Sequence, residues 1–158
     1  TTGTQNTAVG TDAMKNNNGM SNSTGIGYQA SVTQSNQVQL GNSSVTKFTC
    51  AASPTIGSDI ALKEDIVPSV GLDFINDLNP VQFHRRAEES DKTEHGIIAQ
   101  ELKAAVEEHC PDSGMVDEAG EYVGVRLTDL IAPLIKSVQE LSEANAALVA
   151  RVVELESK

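Results

Sequence analysis

The sequence is poor in the residues that build most catalytic and metal centres. Its 158 residues include no tryptophan, three phenylalanines, two tyrosines, three histidines and two cysteines. The histidines and cysteines are too few and too scattered for a zinc site, so we expect no metal and no cofactor. Cys50 and Cys110 are far apart without a neighbouring motif, which favours free thiols. With 3% aromatic residues, the chain has little material for a solitary core, and oligomerisation would offset this.

Long apolar runs and an excess of basic residues are also missing. No run approaches the roughly 18 residues that span a bilayer, so we expect no membrane association. The opening TTGTQNTAVG lacks a signal-peptide pattern, and we expect the chain to begin partway through a longer protein. The net charge of the chain is −11. The charged residues of 1–57 are Lys15, Lys47 and Asp12, which sum to +1, so residues 58–158 carry a net charge of −12. Such an acidic surface repels phosphate backbones, so we expect no nucleic acid as a partner.

Residues 1–57 contain a degenerate repeat. Residues 7–13 align with residues 24–30, seventeen positions later, and a partial third copy occupies 38–42. Each copy has a short apolar or β-branched stretch followed by glycine, with Asn, Gly and Ser turns between copies. This pattern predicts a stacked β-repeat, and the alternative is a disordered linker. The segment resembles the shaft and head repeats of trimeric viral fibres and bacterial adhesins.

Residues 58–126 are predicted to form a small α+β unit with charged loops. Its expected elements are helical turns within 62–78, a strand at 81–84, a charged hairpin or loop at 85–94, a strand or helix entry at 96–99, a helix at 100–109 and a strand at 122–125.

Residues 127–158 are predicted to form a long coiled-coil helix. Thr128 is a candidate N-cap, and Pro133 either kinks the helix or marks its start near Ala132. Mostly apolar residues recur at positions a and d of a seven-residue repeat and form a seam along the helix. Asn145 occupies one of the a positions and would fix the register of the coiled coil. Branched a positions with leucine at d slightly favour two strands, and an amphipathic helix on its own domain is the alternative. The seam residues are Ile131, Leu134, Val138, Leu141, Asn145, Leu148, Val152 and Leu155.

Five motifs follow one another in this second half of the chain. They are SDIALK at 58–63, GLDFI at 71–75, LNPVQF at 78–83, GIIAQEL at 96–102 and LIAPLIKSVQEL at 130–141. Together they resemble the C-terminal intramolecular chaperone domain of bacteriophage tailspikes and tail fibres, a self-cleaving serine peptidase family of the endosialidase and neck-appendage type. The resemblance covers about residues 57–158. Leu127 departs from it, because an aromatic residue is expected before the last helix.

The resemblance implies a homotrimer that brings three fibre chains into register and then cuts itself from the upstream shaft of the same chain. Carried onto this sequence, Ser58 is the nucleophile, Lys63 is the base, and the scissile bond joins Gly57 to Ser58. It also implies a virion tail fibre or tailspike, with the chaperone made in the host cytoplasm and released after cleavage. The attack falls on the preceding carbonyl or on that of a neighbouring chain.

Taken alone, the serine–lysine spacing favours a helix cap and a surface lysine. Serine needs an adjacent base, and lysine serves only when burial favours its neutral form. Five residues is too long for a contact on a straight helix, so a turn must bring Lys63 back. We expect Asp59 to cap that turn. His95, Gln100 and Glu101 flank the GIIAQEL motif and are candidates for the cleavage site or, preferably, for an inter-subunit polar network.

Three other functions compete with the self-cleaving chaperone. The first is a structural trimerisation cap that never cuts, and the second is a host-receptor-binding fibre tip, although no clustered aromatics indicate a glycan site. The third is the equivalent domain of membrane-bound transcription factors, which the nearly uncharged residues 1–57 disfavour.

Overall fold

The computed structural model describes residues 2–84, 86, 93–119 and 122–158 of the chain. The charged hairpin or loop predicted at 85–94 therefore falls mostly outside the described residues. The chain divides into two compact units, and their boundary lies between Ile56 and Gly57. This boundary is one residue from the change in composition at Gly57.

The first unit contains a small parallel sheet built from the sequence repeat. Its strands are β1 (Thr7–Val9), β2 (Thr24–Ile26) and β3 (Val38–Leu40), in the order β1-β2-β3. Thr7 pairs with Thr24, which pairs in turn with Val38. The strand register therefore follows the alignment of the three sequence copies, residue by residue.

The glycine that follows each strand is explained by the stacking of the copies. Gly10 and Gly27 have φ angles of +128° and +114°, which residues other than glycine rarely adopt. A Cβ atom at Gly10 would lie 2.6 Å from the carbonyl oxygen of Gly27 in the next copy. Ser23, Ala30 and Val32 are buried within this stack. A trimeric fibre built from this segment stays a prediction.

The second unit is a mixed α/β domain. It contains a 3₁₀ turn at Ile60–Leu62, α1 (Leu72–Asn76), β4 (Pro80–Phe83), β5 (Glu94–Ile97), α2 (Ala99–His109), β6 (Val116–Asp117), β7 (Gly124–Val125), a 3₁₀ turn at Leu127–Leu130 and α3 (Ile131–Glu156). Strands β4 and β5 pair antiparallel, as do β6 and β7. The predicted mixed α/β architecture with a long C-terminal helix is confirmed.

The core of this domain lies between α1, α2 and the segments around β6 and α3. Phe74 is the one buried residue of α1, and Leu102 is its fully buried counterpart on α2. The buried cluster consists of Phe74, Leu102, Ala105, Val106, Met115 and Leu130.

Two helix boundaries differ from those expected. The helical spacing within 62–78 yields only a 3₁₀ turn and the five residues of α1, because Pro68 and Gly71 interrupt the segment between them. Thr128 lies inside a 3₁₀ turn and is not an N-cap, whereas α3 begins at Ile131, one residue from the alternative start expected near Ala132. Pro133 occupies the first turn of α3, where it removes no helical hydrogen bond.

Helix α3 packs against α1 on one side and leaves its heptad seam exposed. Pro133 and Ser137 are its buried residues, and Ser137 Oγ donates to the Pro133 carbonyl at 2.9 Å. All eight predicted seam residues are exposed in the single chain. Among the described helices, none is long and apolar enough to cross a membrane.

Candidate functional site

The structure brings Ser58 and Lys63 into direct contact. Lys63 Nζ donates a hydrogen bond to Ser58 Oγ over 2.7 Å. This is the separation that a nucleophile and its base require for proton transfer. Both residues belong to the second unit, which begins at Gly57, and Ser58 is its second residue.

A short turn accounts for the contact between side chains five residues apart. Leu62 N donates to the Asp59 carbonyl at 3.0 Å, and Lys63 N donates to the Ile60 carbonyl at 3.1 Å. Asp59 caps this 3₁₀ turn, and its Oδ1 accepts from Ala61 N at 2.8 Å. Lys63 then returns to an extended backbone conformation, with φ −127° and ψ 140°. The turn thus carries the lysine side chain back towards the serine.

Gly57 has a more ordinary environment than its position suggests. A Cβ atom built there would lie 3.4 Å from Leu62 Cδ1, which is a normal van der Waals distance. Steric space around residue 57 in this conformation therefore does not demand a glycine.

The Ser58–Lys63 pair lies in an exposed segment. Every residue from 57 to 67 is solvent-exposed in the single chain. This stretch also exposes four large apolar side chains, including Ile60 at 74% and Leu62 at 73%. Only a neutral amine can accept a proton from serine, and removal from water favours that form. The single chain therefore supplies the contact between the two groups but not the dry surroundings that a lysine base needs.

The other candidate residues lie elsewhere in the domain. His95 is exposed on β5, opposite Gln82 of β4. Glu101, in the first turn of α2, accepts from Asn79 Nδ2 at 3.3 Å. Among the hydrogen bonds of the described residues, none joins His95, Gln100 or Glu101 to Ser58 or Lys63. Glu101 thus links α2 to the residue before β4.

One cluster of possible ligand atoms was not expected from the sequence. His109 Nε2 lies 2.6 Å from Asp77 Oδ2, and its ring contacts Phe74 edge-on with centroids 5.8 Å apart. Asp77, Glu108 and His109 offer ligand atoms within 4.8 Å of one another, so they could hold a cation. Asp77 and Glu108 are exposed. The His109–Asp77 contact brings Asp77 to this place, and Glu108 is the sequence neighbour of His109, so the cluster needs no cation to explain it. Residues 32 positions apart give no sequence signal for such a pair.

A second unexpected contact joins α3 to α1. Glu140 Oε2 accepts a hydrogen bond of 2.7 Å from the backbone N of Leu72, which lies 68 residues earlier. Lys136 Nζ is 3.4 Å from the other carboxylate oxygen of Glu140. The hydrogen bond from the backbone N of Leu72 lowers the pKa of Glu140, and Lys136 lowers it further by a smaller effect. Glu140 therefore supports the start of α1, far from the serine–lysine pair in sequence.

Comparison with protein families gives a match to part of the chain. Residues 58–110 match the protein-family model described as chaperone of endosialidase, and the match begins at Ser58. It covers 53 of the 158 residues and leaves the β-repeat and α3 outside. No curated protein matches the chain. The resemblance inferred from the sequence motifs is confirmed over residues 58–110, which are similar to the chaperone-of-endosialidase family.

Proposed function

We propose that the chain is an intramolecular chaperone that assembles a phage tail fibre or tailspike as a homotrimer and then releases itself by cutting between Gly57 and Ser58. The contact of 2.7 Å between Lys63 Nζ and Ser58 Oγ is the observation that carries this proposal. The family match starts at Ser58, and the unit boundary precedes Gly57 directly. These observations support a cut between the repeat segment and the chaperone.

The proposed reaction transfers the Gly57 acyl group twice. Neutral Lys63 takes the proton from Ser58 Oγ as this oxygen attacks the Gly57 carbonyl carbon. The peptide C–N bond breaks, the amine of Ser58 takes the proton from Lys63, and an ester joins Gly57 to Ser58 Oγ. Water then hydrolyses the ester and leaves a carboxylate on Gly57 and a free hydroxyl on Ser58. The products are residues 1–57 and residues 58–158.

Assembly would supply the environment that the single chain lacks. The eight seam residues of α3 and the apolar side chains of Ile60 and Leu62 are exposed. A homotrimer that buries these surfaces would also remove water from the dyad, and desolvation favours the neutral lysine. Cutting would then follow assembly, so that only a fibre in register loses its chaperone.

The proposed location follows from this order of events. The chain would be made in the host cytoplasm, where residues 58–158 assist assembly. The repeat segment, with the fibre upstream of it, would remain in the virion tail. Residues 58–158 would be released after the cut.

Mass spectrometry of the expressed chain tests this proposal. We expect the wild-type chain to yield fragments 1–57 and 58–158, and Ser58→Ala and Lys63→Ala to stay intact. Ser53→Ala and Lys47→Ala are matched controls, because both residues are exposed and lie before the cut. These controls should be cut like the wild type.

Two outcomes would contradict the proposal. An intact wild-type trimer would indicate a structural trimerisation cap, and cleavage of Ser58→Ala at the same bond would exclude Ser58 as the nucleophile. A fibre tip that only binds a host receptor would also remain intact.

A further inference from the structure

The reach between residues 58 and 63 depends on the turn that separates them. A fully extended chain of five residues spans about 17 Å, whereas a 3₁₀ helix rises about 10 Å over the same length. Three of the residues between Ser58 and Lys63, Ile60–Leu62, adopt the shorter form, which reduces the distance that the Lys63 side chain spans to Ser58 Oγ. Unwinding this turn therefore lengthens the distance that the Lys63 side chain must span.

The turn has few interactions of its own. It is three residues long and contains no buried residue, since Ile60 and Leu62 are exposed. A single turn is costly to nucleate, because several backbone angles are fixed for very few hydrogen bonds. The bond from Ala61 N to Asp59 Oδ1 adds a side-chain cap of the kind that stabilises a helix start. Asp59 is thus the side chain best placed to hold the turn.

The carboxylate of Asp59 is bound by the turn rather than by Lys63. Asp59 and Lys63 are four residues apart, a spacing at which ion pairs form readily on helices. Among the described residues, Asp59 makes no ion pair with Lys63; its carboxylate oxygen accepts from Ala61 N instead. The Lys63 side chain consequently remains available to Ser58.

We propose that Asp59 is a positioning residue for self-cleavage, which caps the Ile60–Leu62 turn and thereby holds Lys63 against Ser58. This inference rests on the proposed function. The carboxylate acts through its hydrogen bond to Ala61 N rather than through its charge. Other good capping residues should therefore replace it.

The test compares Asp59→Ala, Asp59→Asn and Asp59→Ser in the full chain, with Glu64→Ala as a control for the loss of a nearby exposed carboxylate. Cell-free synthesis followed by a time course of fragment 58–158 gives the first-order rate of cleavage. Loss of an N-cap predicts that Asp59→Ala is slowed about fivefold. Asparagine and serine should restore the rate to within about twofold of the wild type, because both cap helices well. Glu64→Ala should cleave at the wild-type rate.

The pH profile separates positioning from an electrostatic role. The profile of the Asp59→Asn rate should superimpose on that of the wild type, because the cap is kept while the charge is lost. A displaced profile, or an Asp59→Asn rate as slow as that of Asp59→Ala, would overturn the inference. Equal rates for Asp59→Ala and the wild type would overturn it as well.

Two controls keep the result interpretable. Circular dichroism and sedimentation must show that each variant has the fold and assembly of the wild type; should Asp59→Ala not fold, Asp59→Asn and Asp59→Ser still decide through the rate and the pH profile. A wild-type chain that never cleaves would contradict the proposed function itself. A cleaving wild type with an indifferent Asp59 would contradict this inference alone.

Discussion

Glu140 on α3 accepts a hydrogen bond of 2.7 Å from the backbone N of Leu72, at the first residue of α1. The carboxylate satisfies a donor that a helix start leaves without an intrahelical partner. A Cβ atom at Gly71 would lie 2.3 Å from Glu140 Oε2, so the preceding glycine makes room for the approach. The longest helix of the domain and one of its shortest are thus joined by a side chain.

The first prediction concerns acid stability and Glu140→Gln. Because the pKa of Glu140 is lowered on folding, its ionised form stabilises the fold above its ordinary value of 4.5 and loses this contribution as pH falls through the lower folded value. Glutamine can still accept from Leu72 N but carries no charge. We expect the melting temperature of Glu140→Gln to be below that of the wild type at pH 7, and we expect the difference between the two melting temperatures to shrink below pH 4.5.

Thermal unfolding by circular dichroism across this pH range measures the difference. Glu143→Gln provides the control, since it removes an exposed carboxylate one turn further along α3. Its difference from the wild type should be small at each pH. A constant difference for Glu140→Gln from pH 7 to pH 3 would contradict the linkage to its ionisation.

The second prediction distinguishes the heptad seam from the remaining apolar surface of α3. Leu148 lies on the predicted seam and is 66% exposed in the single chain, whereas its neighbour Val149 lies off the seam and is 57% exposed. If Leu148 is buried between copies, Leu148→Ala should weaken association by about 2–5 kcal/mol per buried side chain. Val149→Ala should have a much smaller effect.

Sedimentation equilibrium of Ser58→Ala chains gives the association constant without interference from cleavage. If the seam of α3 forms a homotrimer, the sedimentation data should fit a monomer–trimer equilibrium. Equal constants for Leu148→Ala and Val149→Ala would show that the seam is not the interface.

The sequence predicted features that depend on neighbouring residues. The register of β1 and β2 could be foreseen, because matching copies place Thr7 beside Thr24. The turn at Asp59 could be foreseen too, because a capping residue precedes the apolar Ile60. These features depend on local spacing, which the sequence contains directly.

Contacts between distant residues could not be predicted in the same way. The pair of Glu140 and Leu72 depends on how α3 crosses α1, and no pattern in either segment indicates the partner. The apolar spacing within 62–78 predicted helical turns, yet Pro68 and Gly71 interrupt the segment and Leu62 is exposed, so that only Leu72–Asn76 form a helix and contribute Phe74 to the core with α2. Apolar spacing indicates which residues can be buried, but it does not by itself fix the backbone conformation of the segment.

The last prediction concerns whether the dyad is built within one chain. The contact of 2.7 Å joins Lys63 and Ser58 of the same chain, so mixed assemblies of Ser58→Ala and Lys63→Ala chains contain no complete dyad. Intact mass spectrometry of such assemblies, with the two chains distinguished by isotope labelling, should show both uncut. Cleavage of the Lys63→Ala chain would instead place its base on a neighbour. Mixtures of wild-type and Ser58→Ala chains are the control: the wild-type chain should be cut, and a cut Ser58→Ala chain would show that the serine attacks the carbonyl of a neighbouring copy.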